Sequence, residues 1–378
     1  MSRGSLIVLL LGTGAAWNAG NVGSVIGEVS REFDLSLATV GLLSGTLLLG
    51  FAVLGTVLAP RVGEAIGVVR TMVVAAGLCV VGNLVFAVAP DFAALSAGRA
   101  LAGCGLGLAA VAGPIYARAT GGVRRVGLFG AAFQLGIAGG LGFGAILTDL
   151  GADWRLGFLL SAAVAASPLP LLAGVDSRVS VERRGGGFLR LALRSSRVLR
   201  LTALFLAIFA VPLTLGSWLV HYLSVDSGLS AGFAGALGFV LFGVSAWARE
   251  IGGGLASRGV GAMYLAGLAP LLAAAGLAAL ALDDSAAVAT VAVVAAGVGF
   301  ALPYGTGIVE AQKLFPREPA EPVAFVTMIG SAAPVALVPV MGSLLGAGDG
   351  EAVFLALAAF VLLAGILNLR PVEGSLEG

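Results

Sequence analysis

Charge is what this chain has least of. Only 11% of its 378 residues are Asp, Glu, Lys or Arg, against about 25% in an ordinary soluble domain. A soluble core of this size needs a polar skin, and too few polar residues are present to make one. Histidine occurs once, as His221, and cysteine twice, as Cys79 and Cys104. Without a Cys/His cluster no metal centre is expected. The two thiols lie in apolar runs and read as structural groups. Neither H-E-x-x-H nor the phosphate-cradling G-x-x-x-x-G-K-[ST] occurs. Enzyme activity, a bound cofactor and direct drive by ATP are therefore not expected, and neither is a nucleic-acid partner.

What is abundant is apolar sequence. Hydrophobic residues make up 59% of the chain, and the mean hydropathy is +1.06. A membrane span needs roughly 20 mostly apolar residues. Runs of that kind occupy 4–27, 37–58, 70–89, 93–117, 126–148, 155–174, 201–222, 231–254, 262–282, 286–309, 323–346 and 351–369. The first run is too long for a signal-peptide core and has no clear cleavage site, so it reads as a span. The 59 glycines are spread along the chain. In lipid, small residues let helix backbones approach closely.

The few charges are sorted. With the N-terminus inside, 18 of the 21 Lys and Arg fall on cytoplasmic segments or span ends. Only Arg31 and Arg155 fall outside, and Arg99 lies within a span. The opposite loops carry Glu28, Glu32, Asp34, Asp91, Asp149, Asp153, Asp226, Asp283, Asp284, Asp349 and Glu351. An odd miscount of spans would scramble this segregation, so both termini are expected in the cytoplasm of a multi-pass cell-membrane protein. The one long connection, 175–200, is basic and sits between the sixth and seventh runs. A topology signal explains it without a dedicated lipid site.

The chain also echoes itself. Leu58-Ala59-Pro60-Arg61-Val62-Gly63 follows the second run, and Leu255-Ala256-Ser257-Arg258-Gly259-Val260-Gly261 follows the eighth. An even number of runs separates them, so the two halves share one orientation. Such parallel halves are one known transporter plan. The expected domains are 1–174, a linker 175–200, and 201–378.

These loops resemble the G-x-L-A-D-R-x-G signature of the major facilitator superfamily. Leu95-Ser-Ala-Gly-Arg99-Ala-Leu-Ala-Gly103-Cys-Gly105 resembles its fourth-span pattern. Gly136-Ile-Ala-Gly139-Gly140-Leu141-Gly142-Phe-Gly144 resembles its antiporter motif, and Asp153-Trp154-Arg155 opens the sixth span as in many members. Three departures stand out. The acidic loop position is Pro60 in one half and Ser257 in the other. Leu141 and Ala145 replace a proline and a glycine of the antiporter motif. No Asp or Glu stands mid-span in the first, fourth, seventh or tenth run.

The resemblance implies an all-α membrane protein with twelve transmembrane helices in two six-helix pseudo-symmetric bundles. It implies a monomeric secondary transporter working by alternating access, with the first, fourth, seventh and tenth helices around the substrate. Conformational roles fall to Arg61, Gly63, Arg258 and Gly261. Polar exceptions on those helices are the candidate substrate contacts: Trp17, Asn18 and Asn21 in the first run, Arg99 in the fourth, Trp218 in the seventh and Tyr304 in the tenth. Gln134 is a further candidate, placed to bond Asn21 or another polar group.

Intramembrane charges and amides are costly and face protein or water. Arg99 therefore reads either as an anion contact or a charge that senses protonation elsewhere, or as a group that bonds backbone carbonyls or snorkels outward. Arg249 stands three residues before Gly252-Gly253 and resembles the anion-binding arginine of the nitrate/nitrite branch. Residues 37–58 lack that branch's partner arginine. His221 and Glu28 are candidates for a coupled proton, although His221 at a helix end also fits an interfacial anchor. Glu310 reads as a solvated charge at a helix end. The substrate leans to a small anion or a neutral metabolite. Drug or metabolite efflux is the alternative, and a non-transporting receptor or scaffold is the reading from another class.

Overall fold

The computed structural model describes residues 1–53, 59–175, 195–258, 260–261, 263–314 and 320–369. Among the described residues every regular element is a helix. Ten helices are long and apolar enough to cross a membrane: Val68–Ala87, Phe92–Gly122, Arg124–Asp149, Arg155–Leu172, Ser196–Val225, Ala231–Ala256, Tyr264–Leu282, Ala286–Leu314, Phe325–Gly346 and Gly350–Leu367. Leu37–Ala52 is a shorter apolar helix, and Arg3–Gly20 is the first of the chain. With these two, all twelve expected spans have a helix.

The first span ends earlier than its apolar run. Its helix stops at Gly20, with Asn21 as C-cap, and a separate short helix, Ile26–Glu32, follows a turn. The sequence Gly20-Asn21-Val22-Gly23 is poor in helix formers. The helically spaced stripe of Trp17, Asn21, Ser24 and Glu28, at steps of four, three and four, therefore does not lie on one helix. The fourth and fifth spans are nearly continuous and break at Gly121 and Gly122. Gly122 has φ 62°, a left-handed conformation that glycine adopts without steric cost.

Prolines account for the other interruptions, through the missing N–H. A π-helical segment, Leu206–Ala210, precedes Pro212 in the seventh span. The tenth span breaks at Leu302–Pro303 and the eleventh before Pro334.

The chain groups into two compact units. One contains Met1–Arg183, Gly216–Phe242 and Val335–Ala347. The other contains Arg184–Leu215, Gly243–Pro334 and Gly348–Gly378. The grouping divides the seventh, eighth and eleventh spans.

In the first unit, glycines make the helix seams. A Cβ on Gly82 would come 2.6 Å from the Gly98 carbonyl oxygen, which joins the third and fourth spans backbone to backbone. The fifth-span glycines do the same for the first span. Gly136 faces Thr13 and Ala16, Gly139 faces the Trp17 ring, Gly140 faces the Trp17 and Gly20 backbone, and Gly144 faces Ser24. The motif that resembles an antiporter signature is thus a close-packing face. In the second unit a comparable seam joins the ninth and tenth spans. There a Cβ on Gly276 would come 2.5 Å from the Ala292 carbonyl oxygen, and one on Gly299 would come 2.7 Å from that of Ala269.

Candidate functional site

Five polar side chains meet inside the first unit. Arg99 on the fourth span is only 2% exposed. Its Nη1 donates to Asn21 Oδ1 at 2.9 Å, and its Nη2 donates to the Asn18 carbonyl oxygen at 2.6 Å. Asn21 Nδ2 donates to Asn83 Oδ1 at 3.0 Å and to Ser161 Oγ at 3.2 Å. Asn83 Nδ2 donates to Asn18 Oδ1 at 2.7 Å and to the Cys79 carbonyl oxygen at 2.8 Å. Asn18 closes the network on its own helix, donating to the carbonyls of Gly14 and Ala15. The first, third, fourth and sixth spans are thereby tied together. The Phe86 ring centroid lies 5.9 Å from the guanidinium carbon.

This guanidinium has no carboxylate beside it among the described residues. Its countercharge is a helix end. The first helix stops at Gly20, so the Asn18 carbonyl belongs to the last turn, where acceptors lack intrahelical donors. A cation there is favoured by the negative end of the helix dipole. Early termination of the first helix and burial of Arg99 are therefore one feature. Arg99 Nε remains buried without a partner.

Other predicted site residues in this unit lie elsewhere. Trp17 is buried and stacks on Phe143 with centroids 5.6 Å apart. Gln134 is also buried, but Asn21 spends its side chain on Arg99, Asn83 and Ser161, not on Gln134. Trp218 is fully buried, and its Nε1 donates to the Val338 carbonyl oxygen at 2.9 Å. Gly41 and Gly342 form its socket, where any Cβ would meet the indole. His221, half-buried, presents its ring to Trp218 at 5.9 Å. Glu28 pairs with Arg31 at 3.4 Å. Arg61 is exposed and Gly63 buried, within the short helix Ala59–Ile66.

Asp153-Trp154-Arg155 has a partner that the sequence does not reveal. Trp154 Nε1 donates to Glu32 Oε2 at 2.6 Å, and Arg155 grips the same carboxylate through Nη1 at 3.0 Å and through Nη2. The Arg155 guanidinium also lies 4.4 Å from the Trp154 ring centroid. Hydrogen bonds from Arg155 and Trp154 hold the Glu32 carboxyl below the usual carboxylate range. A depressed folded-state pKa gives stability that is present above the unfolded value, near pH 4, and is lost as pH falls through the folded value. The carboxylate is 39% exposed, so solvent screening keeps the contribution below about 1 kcal/mol. Glu32→Gln should lower the thermal midpoint in detergent by a degree or two at pH 7, with the two curves converging below about pH 4. An equal gap at both pH values would show that the ion pair is not its source.

In the second unit the arrangement centres on Arg249. Its guanidinium carbon lies 4.1 Å from the Tyr304 ring centroid and 5.9 Å from that of Phe209. All three positions follow from local backbone features. Phe209 belongs to the π-helical segment, and Tyr304 follows the proline break of the tenth span. Ser245, one turn before Arg249, donates to the Gly297 carbonyl oxygen at 3.0 Å and fixes the eighth span on the tenth. One turn after, a Cβ on Gly252 would meet the Leu302 backbone. Arg249 does not pair with its neighbour Glu250, which is exposed. Glu310 corrects a sequence expectation. It is 3% exposed, not solvated, and pairs with Lys313 at 2.5 Å. Arg258 and Gly261 are exposed.

Gly228-Leu229-Ser230-Ala231-Gly232 has the G-x-S-x-G spacing of hydrolase nucleophiles. Here Ser230 caps the eighth span, its Oγ accepting from Phe233 N at 3.2 Å.

An all-helical set of spans with close glycine seams and buried polar clusters defines a polytopic membrane protein. The Major Facilitator Superfamily profile matches residues 8–321, and the chain belongs to that family. The family match and the names of its relatives point to a transporter and not to an enzyme. Among curated proteins it is 32% identical, over 147 residues, to D-xylose-proton symporter-like 2 of Arabidopsis thaliana, covering 38% of this chain and 28% of that protein. It is also 25% identical to Polyol transporter 5 of the same plant over 171 residues, covering 45% of this chain and 31% of that one. The aligned stretches thus span less than a third of these relatives' own length. Among solved structures, a D-xylose-proton symporter superposes with a TM-score of 0.77 at 15% identity, covering 98% of this chain and 97% of that one. A nucleoside transporter also gives 0.77, at 12% identity with 96% and 98% covered. Structures that carry unlike solutes match equally well, so this likeness is one of fold.

Proposed function

We propose that this protein is a secondary transporter that moves a small polar solute by alternating access, the solute being a neutral metabolite or a small anion. The observation that carries the reading is the Arg99 cluster. It buries a positive charge among amides and a helix end, with no acid beside it among the described residues. Such a lining disfavours a cationic solute, since nothing there balances a second positive charge. The relatives named for D-xylose and polyols support a neutral, hydroxyl-bearing solute.

In this proposal the halves 1–174 and 201–378 move about the linker 175–200. The recurrence of the third–fourth seam in the ninth and tenth spans supports that division. A coupled proton is assigned to His221 or Glu28, because the Arg99 cluster contains no carboxylate or imidazole. Efflux by antiport has less support, since the glycines that raised it serve as a packing face. The termini are placed in the cytoplasm, from the charge distribution.

The test is flux in proteoliposomes with labelled D-xylose, xylitol, D-xylonate and tetraethylammonium. Saturable uptake with accelerated counterflow is expected for at least one of the first three and not for the cation. Absence of flux for every solute overturns the transporter reading in favour of a receptor or scaffold. Uptake of the cation alone overturns the substrate class.

A further inference from the structure

We infer that Trp154, held by Glu32 and Arg155, is a positioning residue for the solute site: it fixes the outer end of the broken first span and, through it, the Asn21 and Arg99 groups. This rests on the transporter reading above.

The first span needs outside help to hold its shape. After Gly20 the chain turns and restarts as Ile26–Glu32, and a helix of seven residues is too short to be stable alone. Gly20 and Gly23 loosen the turn, and Val25 gives the short helix no side-chain cap. Val25, Ile26 and Val29 are buried. Such apolar contacts hold the segment down, but they are non-directional and do not set its register. Asn21 stands at the start of the turn, so a slip of the segment moves its side chain away from Arg99 Nη1.

Directional contacts gather at the other end of the segment, around one indole. Trp154 is 5% exposed. Its Nε1 donates to Glu32 Oε2, and its ring meets that of Phe33 edge-on with centroids 6.5 Å apart. Arg155 holds the same carboxylate from the next position. Glu28, on the same short helix, is spent on Arg31. Glu32 is the acid of that helix bonded to the sixth span.

The same indole bears on the solute site from the far side. Its ring lies 5.8 Å from Phe86 of the third span and 5.8 Å from Phe158 of the sixth. Phe86 stacks on Phe158 at 4.1 Å and lies 5.9 Å from the Arg99 guanidinium carbon. One side chain thus supports both partners of the Arg99–Asn21 bond, Asn21 through the short helix and Arg99 through Phe86. Trp154 acts through these neighbours and not by touching the solute.

A packing role alone would lower stability and nothing else. A positioning role also lowers affinity. Where a fraction of the molecules has the segment out of register, the apparent affinity falls with the competent fraction, and saturating solute restores the competent form. KM therefore rises while the maximal rate holds.

The experiment measures both quantities for the intact protein in proteoliposomes, with labelled D-xylose, xylitol and D-xylonate as probes. Trp154→Phe keeps a ring and loses the N–H, whereas Glu32→Ala loses the acceptor. Each should raise KM about three- to fivefold with the maximal rate within about twofold, since fivefold corresponds to ~1 kcal/mol, the upper range for a part-exposed ion pair. The double variant should be no worse than about fivefold, because both changes remove one bond. Asp153→Asn, whose carboxylate lies 3.6 Å from Arg155, is the control and should leave KM unchanged. Backbone amide exchange at residues 21–25 in detergent should quicken in Trp154→Phe and Glu32→Ala and not in the control. Unchanged KM in the folded variants overturns the inference, and so does a double variant whose effect is the product of the two. Lack of flux for every probe in wild type overturns the transporter reading instead. Exchange at 21–25 still judges the clamp in that case, and unchanged exchange in both variants overturns it.

Discussion

Asn21→Leu is expected to lower the stability of the protein by about 2–4 kcal/mol and its transport rate by at least about tenfold. Leucine shares the branching of asparagine, is larger and suits an apolar span, so lost packing is not the cause. The cost comes from the groups left behind. Arg99 Nη1 loses its acceptor, and Asn83 Oδ1 loses its donor. Each orphaned buried group costs about 1–3 kcal/mol, with charged groups at the upper end. Ser161 is spared because its hydroxyl donates to the Gly157 carbonyl oxygen. Arg99 would be left with the Asn18 carbonyl as its one acceptor, beside an Nε that already has none.

Unfolding in detergent and counterflow in proteoliposomes read the two effects separately. A stability change under about 0.5 kcal/mol would show that the network relaxes around the gap and does not hold the four spans. Asn21→Asp sharpens the test. It keeps an acceptor for Arg99 and adds a titratable group beside a fixed charge, so transport should acquire a pH dependence that the native amide does not provide.

The polar members of this network were legible to unequal degrees. Asn18, Asn21 and Arg99 announce themselves as polar residues in apolar runs, and the cost of burying them marks them as partnered. Asn83 and Ser161 were overlooked for want of a stripe, although Asn83 is equally a lone amide within its run. What no spacing rule could show is that the first helix ends at Gly20. Periodicity carried the stripe on to Glu28, while the chain turned at Asn21 and exposed the Asn18 carbonyl to Arg99. The twelve spans were readable because apolar length and charge sorting act over whole segments. Glu310 was misjudged because nearness to a helix end says nothing about what packs there. The Arg249 cluster depends on a π-helical segment and a proline break, and only the proline is visible in sequence.

Trp218→Ala is expected to have the largest effect of any single truncation, about 3–5 kcal/mol. The indole is fully buried, and its socket is made of backbone. A Cβ on Gly41 would come 3.0 Å from the ring, and one on Gly342 would come 2.5 Å from it. The same Cβ on Gly41 would also come 3.0 Å from Pro339 Cα. Backbone packed this closely cannot collapse into the space that the ring leaves, so the cavity persists and its cost is not recovered. In a membrane protein that cost is mainly lost dispersion contacts, since lipid offers no hydrophobic penalty to offset it. The hydrogen bond to the Val338 carbonyl is lost as well.

Trp218→Phe should lose much less than Trp218→Ala, because it keeps part of the ring volume and gives up the N–H donor. Gly342→Leu should be as harmful as Trp218→Ala for the opposite reason, since it drives a side chain into the same ring. Denaturant unfolding of the three variants in one detergent orders these effects. A Trp218→Ala loss below about 1 kcal/mol would mean that the socket closes after all. In that case lost transport in the same variant would place the indole in contact with the solute and not in the helix packing.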